Sequence, residues 1–194
     1  MNIVHVKKIQ LTSSEWSGGT TTQLFIYPPA AEYSKRNFIF RISTATVEAE
    51  ESVFTILPGI KRKLMVLDGS LHIAHKNKYS KHLNKFEQDE FDGGWETNAV
   101  GKVTDFNLML AENKGGRVKA LFFKSGEKSE IEFTNTNYVG IYFYKGSAEI
   151  ICAGKKFNAE QGDFLSMENY SPQDKIIIKA NVDCEIIIAN VLVN

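Results

Sequence analysis

The stretch LMVLDGSLHI, residues 64–73, sets the fold class. An apolar arm, an Asp-Gly pair and a second apolar arm are strand chemistry, and Asp68-Gly69 reads as a two-residue hairpin turn. Closing the turn there pairs Val66 with Leu71, Leu64 with Ile73 and Arg62 with His75, placing all six on one face. The apolar members make that the core face. Arg62 then sits at its open end, where a guanidinium can point into a cavity. A second stretch, IYFYKGSAEI (141–150), repeats the order of apolar arm, X-Gly-Ser and apolar arm, with Lys145-Gly146 at the turn. With the Lys114-Gly115-Gly116 segment between them, the two stretches point to duplication of one barrel-like unit, as residues 1–115 and 116–194.

Outward from these stretches, short apolar or alternating runs recur at Phe38–Val47, Phe106–Leu110, Val118–Phe123, Lys175–Ala180 and Cys184–Val193. They are rich in Phe, Tyr, Ile and Val, and no segment carries a 3.6-residue stripe, so the expected class is all-β. With 43% hydrophobic residues the chain can bury a sizeable core. The 23 basic and 23 acidic residues cancel, and no basic run interleaved with aromatics marks a nucleic-acid surface. No apolar run is long enough for a bilayer and the amino terminus lacks a signal pattern, so no membrane partner and a cytoplasmic location are expected. An exposed strand edge could support a homodimer. Cys152 and Cys184 sit in apolar runs outside any metal-type spacing and read as buried structural thiols.

Three polar groups look misplaced. Arg41, in NFIFRISTATVE, lies on a strand with apolar residues on both faces. A buried cation is costly without an acceptor, so Arg41 pairs either with an internal carboxylate, Glu48 or Asp105, or faces a carboxylate-bearing ligand together with Arg62. In SEWSGGTTTQLFIYPP the Gly18-Gly19 bend leads into a strand with Thr20, Thr22, Leu24 and Ile26 on one face, either a pocket mouth lined by hydroxyls or an ordinary bulge. In VTDFNLMLA, Asp105, Asn107 and Met109 oppose Phe106, Leu108 and Leu110. There Asn107 either orients a small ligand or braces a loop.

No metal or cofactor is expected. His72 and His75 are three residues apart on one strand and project to opposite faces, while His5 and His82 are remote in sequence. No nucleophile elbow, catalytic-cysteine context or dinucleotide fingerprint appears, so no catalytic residue is assigned.

Trp16 with Gly18-Gly19-Thr20-Thr21, then Phe40-Arg41-Ile42-Ser43, Val47-Glu48, Phe54, Pro58-Gly59 with Arg62, Phe91, and Asp105 through Met109 form a pattern that resembles the HutD/Ves family. The match is dense from Trp16 to Met109 and thin afterwards. The resemblance implies a bicupin fold, two jelly-roll barrels lacking the usual metal histidines. It also implies a cytoplasmic protein associated with histidine utilisation, with a regulatory or sensor role and no demonstrated catalysis. The implied pocket is in the first barrel, at Trp16, Thr20, Arg41, Arg62 and Asn107, for an anion such as formylglutamate or urocanate. The chain departs from the family pattern at Ser17 and Gln23, where many members carry a basic residue or Asn, and Glu. The alternative reading is a metal-independent cupin enzyme, an isomerase or lyase acting on a small polar metabolite.

Overall fold

A computed structural model describes residues 1–171 and 173–193. Apart from 3-10 turns at Lys8–Gln10 and Tyr33–Lys35, its regular elements are strands. In chain order these are β1 (Asn2–Val6), β2 (Thr12–Trp16), β3 (Gly19–Tyr27), β4 (Phe40–Val47), β5 (Glu51–Val53), β6 (Ile60–Gly69), β7 (Leu71–His75), β8 (Ser80–Leu83), β9 (Gln88–Asp92), β10 (Thr97–Val100), β11 (Val103–Ala111), β12 (Gly115–Phe123), β13 (Lys128–Ile131), β14 (Tyr138–Lys145), β15 (Ser147–Cys152), β16 (Lys155–Glu160), β17 (Phe164–Glu168), β18 (Ile176–Ala180) and β19 (Cys184–Leu192). No helix among the described residues is long and apolar enough to cross a membrane.

The chain divides into two compact units. One is Thr12–Lys114; the other joins Met1–Leu11 to the chain from Gly115 onward. Residues 1–11, grouped by sequence order with the first half, thus belong with the second, where β1 pairs along β17. The Thr12–Lys114 unit has a six-stranded sheet, β2-β3-β4-β11-β6-β9, and a four-stranded sheet, β5-β10-β7-β8. In the other unit the sheets run β1-β17-β14-β19-β12 and β13-β18-β15-β16. Matching β4 through β11 one for one with β12 through β19 reproduces the strand order in both sheets. Each unit is thus built of two open sheets.

The two X-Gly-Ser turns are not hairpins. β6 pairs with β11 and β9 while β7 pairs with β10 and β8, so Asp68-Gly69 is a corner at which the chain leaves one sheet for the other. Lys145-Gly146 is the same corner between β14 and β15. The expected pairs Val66–Leu71, Leu64–Ile73 and Arg62–His75 therefore do not form. Their members are nevertheless all buried, because each strand turns the same alternate residues inward. Glycine is required at both corners, where φ is +79° at Gly69 and +83° at Gly146. A Cβ there would also lie 2.4 Å from the Lys102 carbonyl oxygen and 2.2 Å from that of Asp183.

The duplication extends to irregularities. A bulge in β6 leaves Leu67 unpaired between Asp68↔Thr104 and Val66↔Asp105. The matching bulge in β14 falls at Tyr144, between Lys145↔Glu185 and Phe143↔Ile186. From there the registers run in step, so Asp105 corresponds to Ile186, Asn107 to Ile188 and Arg62 to Val139. In the unit containing β19 these three positions are fully buried aliphatics within a core of Val139, Ile141, Phe143, Ile150, Leu165 and Ile178. Cys152 and Cys184 are free thiols buried in that core. The Thr12–Lys114 unit splits its apolar interior into one cluster around Leu64, Val66, Leu71, Ile73 and Leu83 and another around Phe38, Leu57, Ile60 and Met109.

Candidate functional site

The inner face of the six-stranded sheet carries three rows of residues across its strands. Ile26, Arg41, Met109, Arg62 and Phe91 form the first; Gln23, Ser43, Asn107, Leu64 and Asp89 the second; Ser14, Thr21, Ala45, Asp105 and Val66 the third. Arg41 and Arg62 both pair with Met109, so the two guanidiniums start from neighbouring strands on either side of one methionine. A cavity of about 230 Å³ opens over these rows, lined by Ser14, Trp16, Thr21, Tyr33, Arg41, Ser43, Ala45, Val47, Val53, Phe54, Thr55, Arg62, Asp105, Asn107 and Met109. That volume suits a small metabolite.

Arg41 and Arg62 are 6% and 5% exposed. Arg41 donates from Nε to Gln23 Oε1 at 2.9 Å and from Nη1 to Ser43 Oγ at 3.2 Å, and its guanidinium lies 4.4 Å over the Tyr33 ring. Arg62 donates from Nη2 to Asn107 Oδ1 at 3.0 Å and rests over Phe54 and Phe91, at 4.7 and 5.3 Å from the ring centroids. Its Nε is buried without a hydrogen-bond partner. Neither arginine forms a salt bridge with a described residue, so the internal pairing of Arg41 with Glu48 or Asp105 does not occur. Burial lowers both guanidinium pKa values, that of Arg62 to about 10, opposed by the attraction of Asp105.

Asp105 is 3% exposed. Its Oδ1 accepts a hydrogen bond from Asn107 Nδ2 at 2.8 Å, and burial pushes its pKa up to about 6 against the pull of Asn107 and Arg62. Asn107 therefore hydrogen-bonds cation and carboxylate at once, and its amide orientation is set from both sides.

Of the residues picked from sequence, Trp16, Arg41, Arg62 and Asn107 meet at this cavity, and Thr20 does not. The expected run of Thr20, Thr22, Leu24 and Ile26 along one face is broken by a bulge between Gln23 and Phe25, which puts Thr21 and Gln23 on the same face as Ile26. Thr22 instead meets Ser13, Oγ1 to Oγ at 2.8 Å. Trp16, 38% exposed, lies across Gly18 so closely that a Cβ there would come within 2.1 Å of the indole. Tyr33 is the site residue that nothing in the chain pattern signals. Gln23 stands out in the sequence only as a departure from the family pattern and Ser43 only as part of the Phe40–Ser43 motif; Arg41's need for acceptors is the physical signal for both.

His72 and His82, remote in sequence, stand opposite each other across β7 and β8, both exposed, while His75 is buried; no group of three His, Cys, Asp or Glu among the described residues is placed to hold a metal. His75 instead ties the two sheets of its unit together, with Nε2 2.9 Å from Asp89 Oδ2 and Nδ1 2.8 Å from Thr97 Oγ1. Tyr79 donates to the same aspartate at 3.1 Å, and burial with the nearby Asp89 raises its phenol to about 12. The His75 ring packs 4.5 Å from that of Phe91, so this knot supports the shelf on which Arg62 lies.

Known proteins place the chain. The conserved protein PA5104 of Pseudomonas aeruginosa PAO1 superposes with a TM-score of 0.86 at 18% identity, over 98% of this chain and 99% of that one. HutD of Pseudomonas fluorescens SBW25 gives 0.70 at 17%, over 98% and 99%. The Ylba protein of E. coli gives 0.74 at 13%, over 100% and 92%. At these identities the likeness establishes a shared cupin-like, all-β fold. No curated protein sequence matches the chain. The HutD family model, however, matches residues 8–187, nearly the whole sequence, and the chain belongs to the HutD family.

Proposed function

We propose that the Thr12–Lys114 unit binds a small carboxylate between Arg41 and Arg62, and that the protein is a cytoplasmic bicupin serving histidine utilisation as a sensor or regulator, not as a catalyst. The observation that carries this reading is the pair of buried guanidiniums on one cavity with no salt-bridge partner among the described residues. Buried charges are rarely left so, and Arg is the side chain best shaped to grip a planar carboxylate. The matching positions of the other unit support a ligand-binding purpose. There Val139, Ile186 and Ile188 replace Arg62, Asp105 and Asn107, so the architecture does not need polar groups at these places. One structure of HutD from P. fluorescens was obtained in a formate condition, and formate is the simplest carboxylate. Trp16, Phe54 and Tyr33 would hold the apolar part of a larger ligand of the urocanate kind, a monocarboxylate.

Calorimetric titration with formate, glutamate, formylglutamate and urocanate tests the proposal. At least one should bind, and Arg62→Ala should weaken it by about 100-fold, the usual scale for removing one partner of a buried charge pair. Circular dichroism would check that the variant is folded. Unchanged affinity in a folded Arg62→Ala protein would remove the site.

A further inference from the structure

This inference rests on the carboxylate-pocket reading and concerns which carboxylate fits. The charges facing the cavity are Arg41 from β4 and Arg62 from β6, against Asp105 from β11, with Tyr33 as the only other titratable side chain in its lining. The groups around Asp105 on its neighbouring strands are Ser43 and Ala45 of β4, Thr21 of β3 and Val66 of β6, none of them charged. Two cations and one carboxylate leave the empty pocket with a single net positive charge at neutral pH.

Asp105 is not cancelled by contact with Arg62, because Asn107 stands between them and bonds to each. Asn107 is the only described residue that hydrogen-bonds to the carboxylate, and it reaches Oδ1. The pocket therefore offers two features of opposite kind: a pair of guanidiniums with no carboxylate partner among the described residues, and the second oxygen of Asp105, to which no described residue donates. A ligand that completes both brings an anionic group and an N–H or O–H. One that brings two negative charges leaves the site net negative beside a buried carboxylate, a like-charge arrangement that costs affinity.

We propose that Asp105 is the specificity-determining residue of this pocket, selecting a monoanionic carboxylate that also carries a hydrogen-bond donor and rejecting dicarboxylates. The raised pKa of Asp105 supports a corollary: on acidification its charge is lost, the pocket gains a second net positive charge, and dianions become better ligands.

The test is calorimetry at pH 7.5 with three probes: N-acetylglycine, a monoanion with an amide N–H; butyrate, a monoanion with no donor; and glutarate, a dianion with no donor. N-acetylglycine should bind best, and at least about tenfold more tightly than glutarate. In Asp105→Asn that advantage should disappear. The unmodified protein provides a second arm that does not depend on how the variant folds: between pH 8 and pH 6, where the probes stay largely ionised, the affinity of glutarate relative to butyrate should rise severalfold. Preference for glutarate at pH 7.5 in the native protein, or an unchanged glutarate-to-butyrate ratio on acidification, would overturn the role of Asp105 while leaving the carboxylate pocket standing. If none of the probes binds, the pocket reading itself fails, and this inference with it.

Discussion

Replacing Arg62 with Val, Asn107 with Ile and Asp105 with Ile installs in the Thr12–Lys114 unit the residues that occupy the matching positions of the other unit. The structure indicates what should follow. Burial holds the Asp105 carboxyl at about 6, against 3.8 for a free side chain, which is a cost of about 3 kcal/mol to its ionised form at neutral pH. Arg62 carries a penalty of the same kind and order, its pKa falling from 12.5 to about 10. The triple variant removes both penalties. It also removes two hydrogen bonds, each contributing about 1 kcal/mol. Exchanging buried ionic groups for apolar ones of similar size is in general neutral or stabilising by about 1–4 kcal/mol. Urea denaturation followed by tryptophan fluorescence should therefore give an equal or higher midpoint with an unchanged slope, while calorimetry shows carboxylate binding abolished. A loss of more than about 2 kcal/mol would show instead that the polar cluster holds the fold together and was not kept for a ligand.

Four narrower predictions follow from single contacts. Gln23→Glu places a carboxylate against Arg41 Nε, where Gln23 Oε1 now accepts at 2.9 Å; it neutralises one of the two guanidiniums, so carboxylate affinity should fall by about tenfold or more while the melting temperature holds or rises. Asp105→Asn should stabilise the protein by up to about 3 kcal/mol at pH 7.5. Because the folded pKa is raised, the cost of ionisation applies above about 6 and fades as pH drops toward 3.8, so thermal melts of variant and parent should converge near pH 4. Gly18→Ala drives a methyl into the Trp16 indole and should shift the Trp16 emission, read in a Trp95→Phe background, and lower ligand affinity severalfold with the strands intact by circular dichroism. Gly69→Ala meets both a left-handed backbone and the Lys102 carbonyl, and should cost about 2–4 kcal/mol in urea melts.

The strand class was legible because Phe, Tyr, Ile and Val alternate wherever a sheet has one covered face, and the duplication was legible at its two glycine corners. What those corners do was not, since an apolar arm entering a turn looks the same whether the chain folds back on its own sheet or crosses to the opposite one. Arg41, Arg62 and Asn107 stood out as polar residues on apolar strand faces, and they do share a cavity. Thr20 was misplaced because one bulged residue in β3 inverts the inward and outward alternation beyond it, and no composition signal marks that bulge. Tyr33 reaches the site from a 3-10 turn, where strand periodicity gives no guidance. Asp105 was visible only as a possible partner for Arg41; its unneutralised position depends on Asn107 standing between it and Arg62, a matter of side-chain geometry.

The most direct measurement is a crystal structure of the protein grown with a monocarboxylate ligand identified by calorimetry. Carboxylate density should lie between the guanidiniums of Arg41 and Arg62, with a ligand N–H or O–H within hydrogen-bonding distance of Asp105. Density confined to water in this cavity, with the carboxylate bound elsewhere on the protein, would contradict the proposed site.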